Sequence, residues 1–205
     1  MITNSSPWDN LKFDTDGVME VTRKFFGTLH NTYKFFAPYA NLDGFTYQEA
    51  DVPMSKRPEI DRWILSELNS LIKNVDMCYA DYEPTKAGRL INDFVNDNLS
   101  NWYVRLCRKR FWGTGYTEDK LAAYQTLYVC LETVAKLMAP IAPFYADKLY
   151  MDLIATTGRD HVASVHLADF PVCDETVIDK ELETRMELAP VSYTHLRAHE
   201  TCADL

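Results

Sequence analysis

Apolar residues recur along the chain three or four positions apart, in long stretches separated by turn-forming residues. After Asp14-Thr15-Asp16-Gly17, which reads as a cap, Val18 to Ala37 runs without a breaker, and Val21, Phe25, Leu29, Thr32 and Phe36 form a helical stripe. Pro38 and the turn Asn41-Leu42-Asp43-Gly44 are expected to end this first helix. A loop from Asp51-Val52-Pro53 to Arg57-Pro58 leads into Glu59 to Tyr79, striped by Ile60, Ile64, Leu68, Leu71, Ile72 and Val75. A third helix is expected from Pro84-Thr85, with proline preset for a first turn, to about Phe111, where Gly113-Thr114-Gly115 stops it. At 1.5 Å per residue it spans roughly 40 Å.

The strongest stripe lies in Glu118 to Met138, where Leu121, Tyr124, Leu127, Tyr128, Leu131, Val134, Ala135 and Met138 share a face. Pro140 and Pro143 interrupt it, and Phe144 to Leu153 reads helical again, as a kinked or broken pair. Further on, Val162 to Phe170 partly alternates, with Val165 and Leu167 offset by polar neighbours, and is expected to add one extended segment. Long amphipathic helices on short connections bury their stripes against one another. The fold class expected is mainly α, an antiparallel helical bundle with a small extended C-terminal segment.

Composition supports a packed core. Of 205 residues 47% are hydrophobic and 13% aromatic, and no apolar run reaches the roughly 18 residues of a membrane helix. The first ten residues, MITNSSPWDN, have neither the basic nor the apolar region of a secretory signal, so a cytoplasmic protein is expected. Cys78, Cys107, Cys130, Cys173 and Cys202 are scattered and odd in number, which fits neither a disulfide framework nor a paired-cysteine metal site. His30, His161, His166, His195 and His199 are not spaced as partners to a cysteine pair, and no metal is expected. Gly-rich phosphate loops, nucleophile elbows and paired-histidine motifs are likewise missing from the sequence, which argues against a self-contained enzyme.

The formal net charge of −9 argues at first against a nucleic-acid partner. The distribution changes the picture. Leu99 to Trp112 carries four basic residues and no acid, whereas Asp169 to Glu187 holds seven acids against Lys180 and Arg185. On a wheel at about 100° per residue, Trp102, Arg105, Arg108, Lys109 and Trp112 fall within an arc of roughly 120°, and Arg110 falls off it. Cations for phosphates beside indoles for unpaired bases are what single-stranded RNA loops call for. The same residues also read as two core tryptophans and a cationic helix C-terminus, and both readings stand at this point.

Five segments carry a resemblance. Trp8-Asp9-Asn10-Leu11-Lys12-Phe13-Asp14, Asn31-Thr32-Tyr33-Lys34-Phe35, Asp61-Arg62-Trp63-Ile64-Leu65, Asn98-Leu99-Ser100-Asn101-Trp102-Tyr103-Val104-Arg105 and Met138-Ala139-Pro140-Ile141-Ala142-Pro143-Phe144 occur in that order. From Pro7 to Leu188 they resemble the anticodon-binding domain of the class I isoleucyl-, valyl-, leucyl- and methionyl-tRNA synthetases. The Leu99 to Arg105 segment followed by Arg108-Lys109-Arg110-Phe111-Trp112 is similar to the isoleucyl enzymes in particular.

That resemblance implies the tRNA-binding region of an isoleucine-tRNA ligase, which holds the anticodon stem-loop of isoleucine tRNA while a missing catalytic domain of the same polypeptide binds ATP. It implies no catalytic residue, metal or cofactor in this chain, and no DNA or membrane partner. Met54-Ser55-Lys56 is not the family's ATP loop, because it lies inside the bundle between Pro53 and Pro58. The implied RNA contacts are Asn31, Lys34 and Phe35 on the first helix and Trp102, Arg105, Arg108, Lys109 and Trp112 on the third. Phe35 is read either as a base-stacking ring or as a core residue beside Phe36. The alternatives are the equivalent domain of a valyl or leucyl enzyme, or a helical protein-interaction module.

The expected organisation is a linker over 1–16 from the catalytic core, the bundle over 17–155, an acidic connector over 156–189, and a non-native tail over 190–205. Within that tail Val191 to Leu205 departs from the family pattern and resembles a peptide translated from sequencing-adapter read-through. Its histidines and arginine are expected to carry no function.

Overall fold

A computed structural model of the chain describes residues 15–159 and 162–188. Residues 1–14 of the linker predicted over 1–16, and the predicted tail, lie outside the described residues, whereas Thr15 and Asp16 of that linker are helical. The rest is a helical bundle with no strand among the described residues.

Helix α1 (Thr15–Val21) passes through a π-helical turn (Thr22–Phe26) into α2 (Gly27–Asp43). The first helix therefore does not end at Pro38, as its missing N–H suggested, but runs through it. Pro38 and Lys34, whose carbonyl loses its donor, are both exposed, so water can serve that carbonyl, while Phe36 and Ala40 hold the flanking turns in the core. The helix ends at Gly44, which adopts φ 69° and donates to the Ala40 and Asn41 carbonyls. The next amide, Phe45 N–H, also donates to the Ala40 carbonyl at 2.8 Å, and its ring is buried. Only a residue tolerant of positive φ closes this turn cheaply.

Helix α3 (Glu59–Ala80) matches its predicted span to within a residue, with Ile64, Leu68, Leu71, Ile72 and Val75 buried. The third predicted helix is continuous from Pro84 to Trp112 but not uniform. It comprises α4 (Pro84–Asp93), an eleven-residue π-helical run (Phe94–Val104) and α5 (Arg105–Trp112). Helix α6 (Glu118–Met138) starts on Thr117, whose side chain accepts from the Lys120 amide, and is the most deeply buried element. After the Pro140 break, α7 (Pro143–Thr157) begins with proline in its first turn and ends on Gly158 at φ 60°.

Helix α3 lies against α4, α6 and the π run, and α6 lies also against α5 and α7. The core is thus one continuous cluster filled by Leu29, Ile64, Leu99, Tyr103, Tyr124, Tyr128 and Leu131 among others. Beyond α7 the expected extended segment has extended backbone at Ser164 and Ala168 around a single 3-10 turn, Val165–Leu167. A last helix, α8 (180–188), packs back on α3. Its Glu183 accepts hydrogen bonds from the Ser66 and Ser70 hydroxyls at 2.5 and 2.8 Å, and Leu182 is buried. The acidic segment is therefore anchored on the bundle through its far end.

Candidate nucleic-acid interface

Helix α5 turns one face inward and the other to solvent. Cys107 and Phe111 are buried, whereas Arg105, Arg108, Lys109 and Trp112 are exposed. Positions 105, 108, 109 and 112 recur at three and four residues, so the exposed side chains form one stripe. Among the described residues, Arg105, Arg108 and Lys109 make no ion pair or side-chain hydrogen bond. Leu106 is also exposed, an apolar residue beside this stripe that the basic pattern left unremarked.

Arg110, set aside from the sequence as off this face, ties the helix down. Its Nη1–H donates to Asp61 Oδ1 at 2.6 Å and its Nη2–H to Asp61 Oδ2 at 2.9 Å, while its Nε–H donates to Asp119 Oδ2 at 2.9 Å. Asp61 is fully buried and also accepts from the Tyr103 hydroxyl at 2.9 Å. Burial opposes the Arg110 charge, yet the Asp61 hydrogen bonds and charge outweigh it and hold its pKa above the ordinary value. Burial pushes the Tyr103 hydroxyl well up, and the Asp61 charge adds to this. The Cys107 thiol is pushed up to about 11 by burial, so it stays protonated and unreactive at neutral pH.

Trp102 does not join the exposed stripe as the wheel suggested. It is half-buried, packs against the core, and its Nε1 is closed off from solvent without a hydrogen-bond partner among the described residues. The reason is its place inside the π run, where i→i+5 bonding rotates the chain by less than 100° per residue.

On α2, Asn31 and Lys34 are exposed and Phe36 is buried, as the stripe requires. Phe35 lies between, half-buried, with its ring 5.1 Å from Phe111 and 5.5 Å from Tyr39. That edge-on contact with Phe111 seats α2 beside α5 and links the two predicted groups of residues. It also engages the ring that was a candidate for base stacking.

A cavity of about 640 Å³ lies on other elements, among Phe25, Phe26, Ile91, Met138, Ile141 and Tyr145, and contains none of the predicted contacts. No group of three or more His, Cys, Asp or Glu that could hold a metal occurs among the described residues. No helix among them is long and apolar enough to cross a membrane.

A family model described as the anticodon-binding domain of tRNA ligase matches residues 61–198. Over 189 residues, 92% of this chain, it is 77% identical to an isoleucine–tRNA ligase of Bacteroides fragilis, and 69% identical to one of Porphyromonas gingivalis. Over 186 residues it is 48% identical to the isoleucine–tRNA ligase of Dehalococcoides mccartyi. The chain spans only 16 to 18% of the length of these relatives.

Proposed function

The chain belongs to the anticodon-binding domain family of the tRNA ligases, and from that premise we propose that it holds the anticodon stem-loop of isoleucine tRNA for an isoleucine–tRNA ligase. The contacts are Arg105, Arg108, Lys109 and Trp112 on α5, with Asn31 and Lys34 on α2. ATP binding and aminoacyl transfer belong to the remainder of that polypeptide, in the cytoplasm. One observation carries the reading: a chain of net charge −9 keeps three cations on one exposed helical face with no ion-pair partner among the described residues. Such a face neutralises phosphates and releases their counterions.

Binding of labelled isoleucine tRNA, followed by anisotropy between about 50 and 200 mM salt, tests it. The expected result is weak binding that falls steeply and linearly on log-log axes, because each neutralised phosphate contributes to the slope. Binding that ignores salt, or equal affinity for an acidic protein of similar charge, would reject RNA as the partner.

A further inference from the structure

We infer that Trp112 is the ring on which an unpaired base of the bound RNA stacks, and that Trp102 and Phe35 serve packing instead. The inference rests on the RNA reading above and assigns the aromatic part of the site. Three rings were available from the sequence, and stacking requires an open π-face large enough for a base. Phe35 has an edge contact with Phe111 and a tilted one with Tyr39, and most of its surface is already covered. Trp102 is packed against the core with its indole N–H shut in. Trp112 is 55% exposed and has no ring partner among the described residues.

Its surroundings suit the role. Trp112 is the last residue of α5, followed by exposed Gly113-Thr114-Gly115, so no bulky side chain follows it to block the approach of a base. Lys109, Arg108 and Arg105 precede it by three, four and seven residues, on the same face and within about 10 Å along the axis. A nucleotide stacked on the indole therefore lays its backbone beside these cations. Every base has a π-face, so Trp112 supplies affinity that tolerates sequence, while discrimination among anticodons lies with hydrogen-bonding groups.

The test uses the 205-residue chain, a labelled isoleucine-tRNA anticodon stem-loop, and two readouts: anisotropy for affinity and intrinsic tryptophan fluorescence for stacking. Trp112→Ala should weaken binding by roughly 5- to 100-fold with the salt slope and thermal midpoint unchanged. Trp112→Phe should bind within a few-fold of wild type but lose the RNA-induced quenching. Trp102→Phe should keep both affinity and quenching. The inference is overturned if Trp112→Ala binds within about twofold of wild type, or if the quenching disappears with Trp102 and survives replacement of Trp112. A wild-type chain with no salt-dependent binding overturns the RNA reading and this inference with it, whereas salt-dependent binding indifferent to Trp112 overturns this inference alone.

Discussion

Replacing Asp61 by Ala should be the most destabilising single change near the proposed interface, although Asp61 itself never meets solvent. Its carboxylate is fully buried and accepts three hydrogen bonds, two from Arg110 and one from Tyr103. Removing one partner of a buried ion pair costs about 3 to 5 kcal/mol, chiefly because the other charge is left uncompensated. Two features pull the value toward the lower end. The Arg110 side chain keeps 15% exposure, and it retains its hydrogen bonds to Asp119, itself half exposed. The orphaned Tyr103 hydroxyl adds about 1 kcal/mol. The expected loss is therefore about 3 to 4 kcal/mol, read as a shift in the urea midpoint at constant m by circular dichroism. Asp61→Asn, which keeps an acceptor and loses the charge, should cost about half as much. Asp61→Ala combined with Arg110→Met should recover most of the loss, because the stranded cation is gone. A cost below about 1 kcal/mol for Asp61→Ala alone would refute the claim that this pair anchors α5.

Three further outcomes are expected. Arg105→Ala with Lys109→Ala should lower the magnitude of the log-log salt slope for tRNA binding by up to about two, and an unchanged slope would move the phosphate path to another face. Phe35→Ala should cost about 2 kcal/mol of stability through lost contact with Phe111 and Tyr39, while RNA affinity under strongly folding conditions stays within a few-fold of wild type. Burial, followed by the facing Glu183 carboxylate, pushes Glu67 up to about 7, against an indole hydrogen bond from Trp63 and the charge of Lys180. A carboxyl raised on folding favours the folded state at pH below about 4.5 and loses that contribution as pH rises through about 7, so Glu67→Gln should stabilise the chain at pH 8 and change little at pH 4; equal effects at both would count against it.

Helix existence was legible wherever a stripe of buried residues ran unbroken. Ile64, Leu68 and Val75 in α3, and Leu127, Leu131 and Val134 in α6, all reach the core the pattern assigned them. Pro38 was misleading because local propensity counts one lost hydrogen bond and one steric clash, whereas the flanking Phe36 and Ala40 are fixed by tertiary packing that no local rule contains. The anchoring of α8 was hidden for a different reason. Ser66 and Ser70 lie more than a hundred positions from Glu183, and their burial with it as a hydrogen-bonded polar group leaves no periodic trace.

The proposed interface divides along the same line, and the division explains which of its residues lie on the exposed face where the wheel put them. A wheel assumes a constant angle per residue, so it holds only within one helical type. Arg105, Arg108, Lys109 and Trp112 all lie in the regular α5, and the wheel placed them together on the exposed side. Trp102 lies three residues earlier, inside the π run, so its phase relative to α5 is set by backbone bonding that the side-chain pattern does not encode. The same run brings Tyr103 onto Asp61, next to the Arg110 clamp, while Trp102 packs toward the core. If that phase is what separates a packing tryptophan from a stacking one, the underwound stretch is part of the interface without touching RNA. It fixes which of two indoles in one short segment is left open to a base.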